Sequence, residues 1–245
     1  MEFPAGIIQK LRAAQSIVVL TGAGISAESG VPTFRDAQSG LWANYKPEEL
    51  ATPQAFRRNP AMVWDWYMRR REMIKKVKPN PGHFALADIE KKVPQFLLVT
   101  QNIDDLHRLA GSRNVIEIHG NIQRTKCFDE DLVVDSWDSA SGVPPKCPRC
   151  GGMLRPDVVW FGEMLPPGAF ERAAEAARNC DVFFSVGTSS LVYPAASLPY
   201  EAVSRKKLSI EINPEETPLT GQVDHHFQGP SGKILPELVA AVWPS

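Results

Sequence analysis

The 245-residue chain carries almost no net charge, since 27 Lys plus Arg stand against 28 Asp plus Glu for a formal balance of -1 at pH 7. A chain without a bulk field of either sign is not drawn generally to nucleic acid or to an anionic membrane surface. Long apolar runs are missing as well. Nowhere does the sequence hold the roughly 18 consecutive apolar residues of a membrane-spanning helix. The opening "MEFPAGIIQKLRAAQ" has no basic stretch leading into an apolar one. These absences predict a cytoplasmic protein that engages neither nucleic acid nor membrane. Cysteine is scarce, with four in the chain, and two of them form "CPRC", a spacing that inside a cell more often means metal than a disulfide. Internal repeats are absent, and no low-complexity linker appears beyond the Pro and Gly punctuation of "SGVPPKCPRCGG".

What is present is enough apolar content, 43% of residues, to bury a large core in one α/β domain or one domain with an insertion. Five runs rich in Val, Ile, Leu and Phe read as strands: 16–20, 96–100, 115–119, 182–186 and 208–212. Helical patterns such as "HFALADIEKK" and "AFERAAEAARNC" separate most of them, which predicts an α/β fold, a doubly wound parallel sheet with covering helices. Two stretches break the alternation. Residues 36 to about 80 are helical and aromatic-rich, and residues 122 to about 158 carry three of the four cysteines. Both read as insertions that form a second, smaller lobe.

The first strand runs directly into "TGAGISAESGVPTFRD". Gly22 and Gly24 follow the strand, and Ala27 takes the third place of a G-x-G-x-x-G/A pattern, so backbone amides and a helix N-terminus can face a pyrophosphate. The bland alternative is a tight strand-to-helix turn without a ligand. The acidic residue that holds an adenosine ribose in hydride-transfer enzymes is absent from the expected place, where "FRDAQSGLW" stands instead. Further polar residues follow the later strands: Asn102 and Asp104 in "VTQNIDDLH", His119 in "EIHGN", Ser189 in "GTSS" and Asn213 in "EIN". In an open parallel sheet such strand ends form the ligand crevice.

The segment "WDWYMRRREMI", residues 64–74, places Val63, Tyr67, Arg70 and Ile74 on one helical stripe. An arginine on a core-facing stripe invites a partner, while Arg69 and Arg71, about 100° to either side, are expected to reach water.

Taken together and in this order, "GAGISAESGVPTFRD", "TQNIDDLH", "IHGN", "VVWFGE", "GTSS" and "EIN" resemble the sirtuin family of NAD-dependent protein deacylases over nearly the whole chain. The resemblance implies a Rossmann-like NAD-binding domain from residues 1–35, 81–121 and 159–245. It also implies a small lobe with a helical insertion at 36–80 and a zinc-ribbon-like module at 122–158. NAD is then a co-substrate: the acyl-lysine oxygen attacks C1′ of the nicotinamide ribose, nicotinamide leaves, and O-acyl-ADP-ribose and free lysine follow. His119 would be the general base on a ribose hydroxyl, with Asn102 beside it. By the same resemblance Gly22, Ala23, Gly24, Phe34, Arg35, Gln101, Asn102, Ile103 and Asp104 line the nicotinamide and ribose side. Gly187, Thr188, Ser189 and Asn213 hold the rest of NAD. The substrate lysine would lie between Val159, Phe161, Gly162 and Glu163 on one side and Tyr193 on the other, paired as an added strand. Acylated-lysine proteins are the implied partners of a chain read as a monomer.

Two features set the chain apart within that resemblance. Tyr67 and Arg70 match a Tyr-x-x-Arg pair of the group, often called class III, that removes succinyl and malonyl groups, and Ala51 matches a small residue that leaves room for them. A guanidinium binds a carboxylate in bidentate fashion; the alternative keeps Arg70 as a snorkelling or salt-bridged structural residue. The zinc module departs from the pattern. Cys127, Cys147 and Cys150 are three ligands for a structural zinc, but "CFDE" puts Glu130 where a cysteine is expected. Asp129, Glu130 or Asp131 could supply the fourth ligand, or the site could be lost. Cys180 reads as a buried small hydrophobe. Two other functions share these motifs, an NAD-dependent protein ADP-ribosyltransferase and a non-catalytic sensor of NAD or acyl-lysine.

Overall fold

A computed structural model describes residues 2–32 and 50–244. Its centre is a six-stranded sheet built from β1 (Ser16–Thr21), β2 (Gln95–Thr100), β3 (Val115–Glu117), β6 (Val182–Val186), β7 (Leu208–Asn213) and β8 (His225–Gln228). The strands run in the order β3-β2-β1-β6-β7-β8, every pairing parallel. The sheet is the doubly wound one expected, and the order reverses between β1 and β6. Both faces are covered, which is why β1 reads as a continuous apolar run. Ile17 and Val19 join one apolar cluster, while Val18 and Leu20 join the other. The first cluster is completed by helices Ala5–Ala13, Pro81–Lys92 and Ser231–Val242, and the second by Ala169–Asn179 and Leu198–Ser204.

Three strands escaped the pattern reading. The edge strand β8, "HHFQ", is short and half exposed, so it shows no apolar alternation. The other two, β4 (Gly120–Cys127) and β5 (Leu154–Val158), pair antiparallel with a register shift between Asn121 and Thr125. The third predicted strand is also shorter than expected, ending at Glu117 and leaving His119 in the turn before β4. No helix among the described residues is long and apolar enough to cross a membrane.

Helix Pro60–Ile74 begins at Asn59, whose side chain accepts from the Met62 amide, and has Pro at its first turn. Its buried set is wider than one stripe: Val63, Trp64, Trp66, Tyr67, Arg71 and Ile74. Arg71, expected to reach water, is buried. Its Nε donates to the Ile122 carbonyl at 2.6 Å, and its Nη2 donates to the Arg124 carbonyl at 2.8 Å and to Thr125 Oγ1 at 3.1 Å. The irregular register of β4 leaves those carbonyls without a ladder partner, and buried carbonyls need one. The helix period cannot reveal this, because the demand comes from another element.

Candidate functional site

The sheet order reverses between β1 and β6, and the C-terminal ends of strands at such a reversal are where open α/β sheets bind ligands. Two loops interlock there. The Gly22 amide donates to the Val186 carbonyl at 3.0 Å and the Gly24 amide to the Gly187 carbonyl at 2.8 Å. A Cβ on Gly24 would come within 2.7 Å of the Gly187 carbonyl oxygen, and Gly187 itself has φ +59°. The glycines are therefore required by loop against loop as well as by any phosphate. The amides of Gly22 and Gly24 are thus engaged within the protein on either side of Ala23, where helix Ala23–Ala27 starts.

Around that turn stand most of the residues singled out by sequence. Gln101 Nε2 donates to Thr188 Oγ1 at 2.9 Å, and Asn213 Nδ2 donates to the Thr188 carbonyl at 2.9 Å, so β2 and β7 together clamp the Gly187–Ser190 loop. Asn102 Nδ2 donates to the Gly22 carbonyl at 3.1 Å and to Ser26 Oγ at 3.0 Å. Both amide protons being engaged, Asn102 presents its carbonyl oxygen. Ile103 is held from the other side, its carbonyl accepting from the Ile122 amide. Asp104 is buried, accepts from the Leu106 amide at 3.0 Å, and has its carboxyl pKa raised by burial. Phe34 and Arg35 lie outside the described residues.

His119 Nδ1 sits 3.1 Å from the Gln101 carbonyl oxygen. A carbonyl can only accept, so Nδ1 carries the proton and Nε2 is left with its lone pair, the tautomer a general base requires. Desolvation lowers the His119 pKa against the smaller opposing effect of the Gln101 hydrogen bond, which favours the neutral ring, the form able to accept a proton.

Residues 158–163 run past this histidine. The Val159 amide donates to the His119 carbonyl and the Phe161 amide to the Ala51 carbonyl, both at 2.9 Å. Phe161, Gly162 and Tyr193 are exposed, with Tyr193 71% accessible. Glu163 turns inward instead. It forms a two-point ion pair with Arg155, at 2.5 and 3.0 Å, and accepts the Trp160 amide at 2.8 Å. Tyr67 and Ala51 are buried in the same apolar cluster as Trp160 and Val158. Arg70 lies with its guanidinium 5.2 Å from the Trp66 ring centroid, and its Nε is buried with no hydrogen-bond partner among the described residues. Burial lowers the Arg70 pKa, partly opposed by Tyr67.

A polar layer beneath the crevice was not anticipated. Thr21 Oγ1 donates to Thr100 Oγ1 and sits 2.9 Å from His107 Nε2, while His83 Nε2 lies 3.4 Å from Ser26 Oγ. The two imidazoles are 4.8 Å apart, and burial holds His83 down at about 4. "NPGH" did carry a signal, since Asn80 caps helix Pro81–Lys92 and fixes His83 in its first turn.

In the cysteine module, the ligand atoms of Cys127, Glu130, Cys147 and Cys150 all lie within 4.8 Å of one another. Cys127 and Cys150 sulfurs are 3.4 Å apart and Cys147 Sγ is 3.8 Å from Glu130 Oε2. A tetrahedron with Zn–S near 2.3 Å has edges of about 3.8 Å, so these four donors fit zinc. The amides of Cys150 and then Arg149 lower the Cys147 pKa toward thiolate. Of the three carboxylates left open by sequence, Glu130 is the one within reach. Asp131 pairs with Lys126, and Asp129 packs against Gly152. Cys180 is buried in the sheet core, its thiol pushed up to about 12 by desolvation.

The Sir2 family model matches residues 22–194. The NAD-dependent protein deacylase of Aquifex aeolicus (strain VF5) is 54% identical over 214 residues, spanning 87% of this chain and 89% of that protein. The crystal structure of a Sir2 homologue–NAD complex superposes with a TM-score of 0.91 at 46% identity, covering 98% of this chain and 94% of that one. A mutant Sir2 homologue in complex with 2′-O-acetyl ADP ribose gives a TM-score of 0.89 at 45% identity, covering 98% and 96%. With a family model matching most of its length and a relative about half identical over most of both chains, the chain belongs to the Sir2 family.

Proposed function

We propose that this NAD-dependent protein deacylase removes negatively charged acyl groups, succinyl and malonyl, from protein lysines in addition to acetyl. The observation that carries the charged-acyl reading is Arg70, a guanidinium largely withdrawn from water whose Nε has no partner among the described residues, one helical turn from the Tyr67 hydroxyl. A cation kept in that state is stabilised by a ligand that brings an anion. NAD supplies the ADP-ribose that accepts the acyl group and the nicotinamide that leaves. The chain's own groups do the rest. Asn102 presents a fixed carbonyl oxygen to the nicotinamide side, and the loops at Ala23 and Gly187–Ser189 hold the phosphates and the far ribose. His119 accepts a ribose proton at Nε2 and keeps its own at Nδ1. Phe161, Gly162 and Tyr193 flank the extended acyl-lysine segment.

Zinc held by Cys127, Cys147, Cys150 and Glu130 would stabilise the ribbon with no open coordination position for chemistry. The same reading divides the chain into an NAD-binding domain (1–35, 81–121 and 159–245) and a small lobe (36–80 and 122–158). It places a monomer in the cytoplasm, acting on acylated proteins and not on nucleic acid or membrane. The test is a comparison of kcat/KM on one peptide carrying acetyl-, malonyl- or succinyl-lysine, with O-acyl-ADP-ribose and nicotinamide measured together. Rates on the charged peptides far below the acetyl rate would refute the charged-acyl assignment.

A further inference from the structure

We propose that Trp160 is a positioning residue for acyl selectivity, its indole N–H fixing the Tyr67 hydroxyl so that the phenol must donate its own proton to the incoming carboxylate. The inference rests on the charged-acyl reading and adds a residue to it. Trp160 Nε1 donates to Tyr67 Oη at 2.9 Å, and both side chains are about as buried as any in the protein, at 1% accessibility each. An indole is a donor only, and so is a guanidinium. The Tyr67 hydroxyl accepts from Trp160, and among the described residues no acceptor takes its own proton. A buried hydroxyl in that state is complemented by an oxygen acceptor that the ligand brings. Succinyl and malonyl groups bring one at their distal carboxylate, and acetyl does not.

The indole is itself held in place. The Arg155 guanidinium stacks 3.3 Å from the Trp160 ring centroid. Arg155 is locked in turn by the two-point pair with Glu163 and by donation to the Val158 carbonyl at 2.7 Å, and Glu163 also accepts the Trp160 amide. A phenylalanine at position 160 would keep an aromatic face for Arg155 and remove the N–H. This arrangement gives Glu163 a place in the site: it braces the ring that orients Tyr67.

The experiment compares wild type, Trp160→Phe, Tyr67→Phe, the double variant and Arg70→Met on succinyl- and acetyl-lysine versions of one peptide. Loss of one hydrogen bond in the chain predicts that Trp160→Phe lowers the succinyl-to-acetyl ratio of kcat/KM by about 2- to 10-fold, chiefly through KM. Adding Trp160→Phe to Tyr67→Phe should lower the ratio no further, since Trp160 acts through the hydroxyl already removed. Thermal melts give a second measurement without substrate: Tyr67→Phe should lower Tm by leaving the indole N–H unpaired, and the double variant should lose less than the sum of the two single losses. An unchanged ratio in Trp160→Phe, or losses that multiply in the double variant, would overturn the proposal while leaving the charged-acyl reading in place. If Arg70→Met lowers both substrates equally, the charged-acyl reading fails and takes the role of Trp160 with it.

Discussion

Replacing Arg70 with Met separates the two activities the site is built to combine. The methionine keeps an apolar stem in the cluster of Val63, Trp66 and Tyr67 and removes the fork. In the free protein, Arg70 is charged, mostly withdrawn from water, and supported by the Trp66 face at 5.2 Å. That support is worth about 0.5–2 kcal/mol, no more than the cost of keeping the charge from water, so Arg70→Met should leave Tm unchanged or raise it. Binding is different. Truncating one partner of a desolvated charge pair costs about 2–5 kcal/mol, which at tenfold per 1.4 kcal/mol is roughly 30-fold or more. The succinyl-to-acetyl ratio of kcat/KM should fall by that factor, with acetyl turnover retained. Tyr67→Phe should move the same ratio less, since a neutral donor contributes less than a charge-assisted fork. The assay is steady-state kinetics on one peptide in both acylated forms. Equal losses on the two substrates, accompanied by a lower Tm, would show that Arg70 holds its helix in place and binds no acyl carboxylate.

His119→Ala should cut product formation by about 10²- to 10⁴-fold while NAD binding, followed by calorimetry, largely survives; near-wild-type turnover would remove His119 from the mechanism. Because burial lowers the His119 pKa, its base form persists as pH falls through about 6.5, and the acid limb of kcat/KM should lie below that value. A limb at or above 6.5 that moves with mutation of His119 would contradict the site's desolvation. Chelation, or Cys147→Ser, should lower Tm more than it lowers the rate measured well below that Tm; well-folded, active protein without bound metal would refute the zinc assignment. Arg71→Met should destabilise by about 2–5 kcal/mol in urea unfolding, since the Ile122 and Arg124 carbonyls lose their buried donor. A midpoint equal to wild type would mean that those carbonyls find water instead.

The parallel sheet was legible because strands covered on both faces are apolar throughout, a property of the residues themselves: "SIVVL", "FLLVT" and "VFFSV" need no partner to be recognised. So was the gathering of polar residues at strand ends, since Asn102, His119 and Asn213 stand at or just past the ends of β2, β3 and β7. Edge and ribbon strands were not legible, since "HHFQ" is half exposed and β4 with β5 pair through a register shift that periodicity cannot express. Glu130 as the carboxylate of the cysteine cluster, among three neighbours of like chemistry, was decided by which side chain the turn sets beside the three sulfurs. The arginines show the division most clearly. Sequence placed Arg70 and Arg71 in successive positions of one helix and, by period alone, sent the first to the core and the second to water. The tertiary structure buries Arg71, which answers carbonyls that a bulge in β4 leaves unpaired, and half-buries Arg70, which meets an aromatic face and whose Nε finds no acceptor among the described residues. A residue's period along a helix is local, but whether a buried charge has a partner depends on what distant segments bring to it.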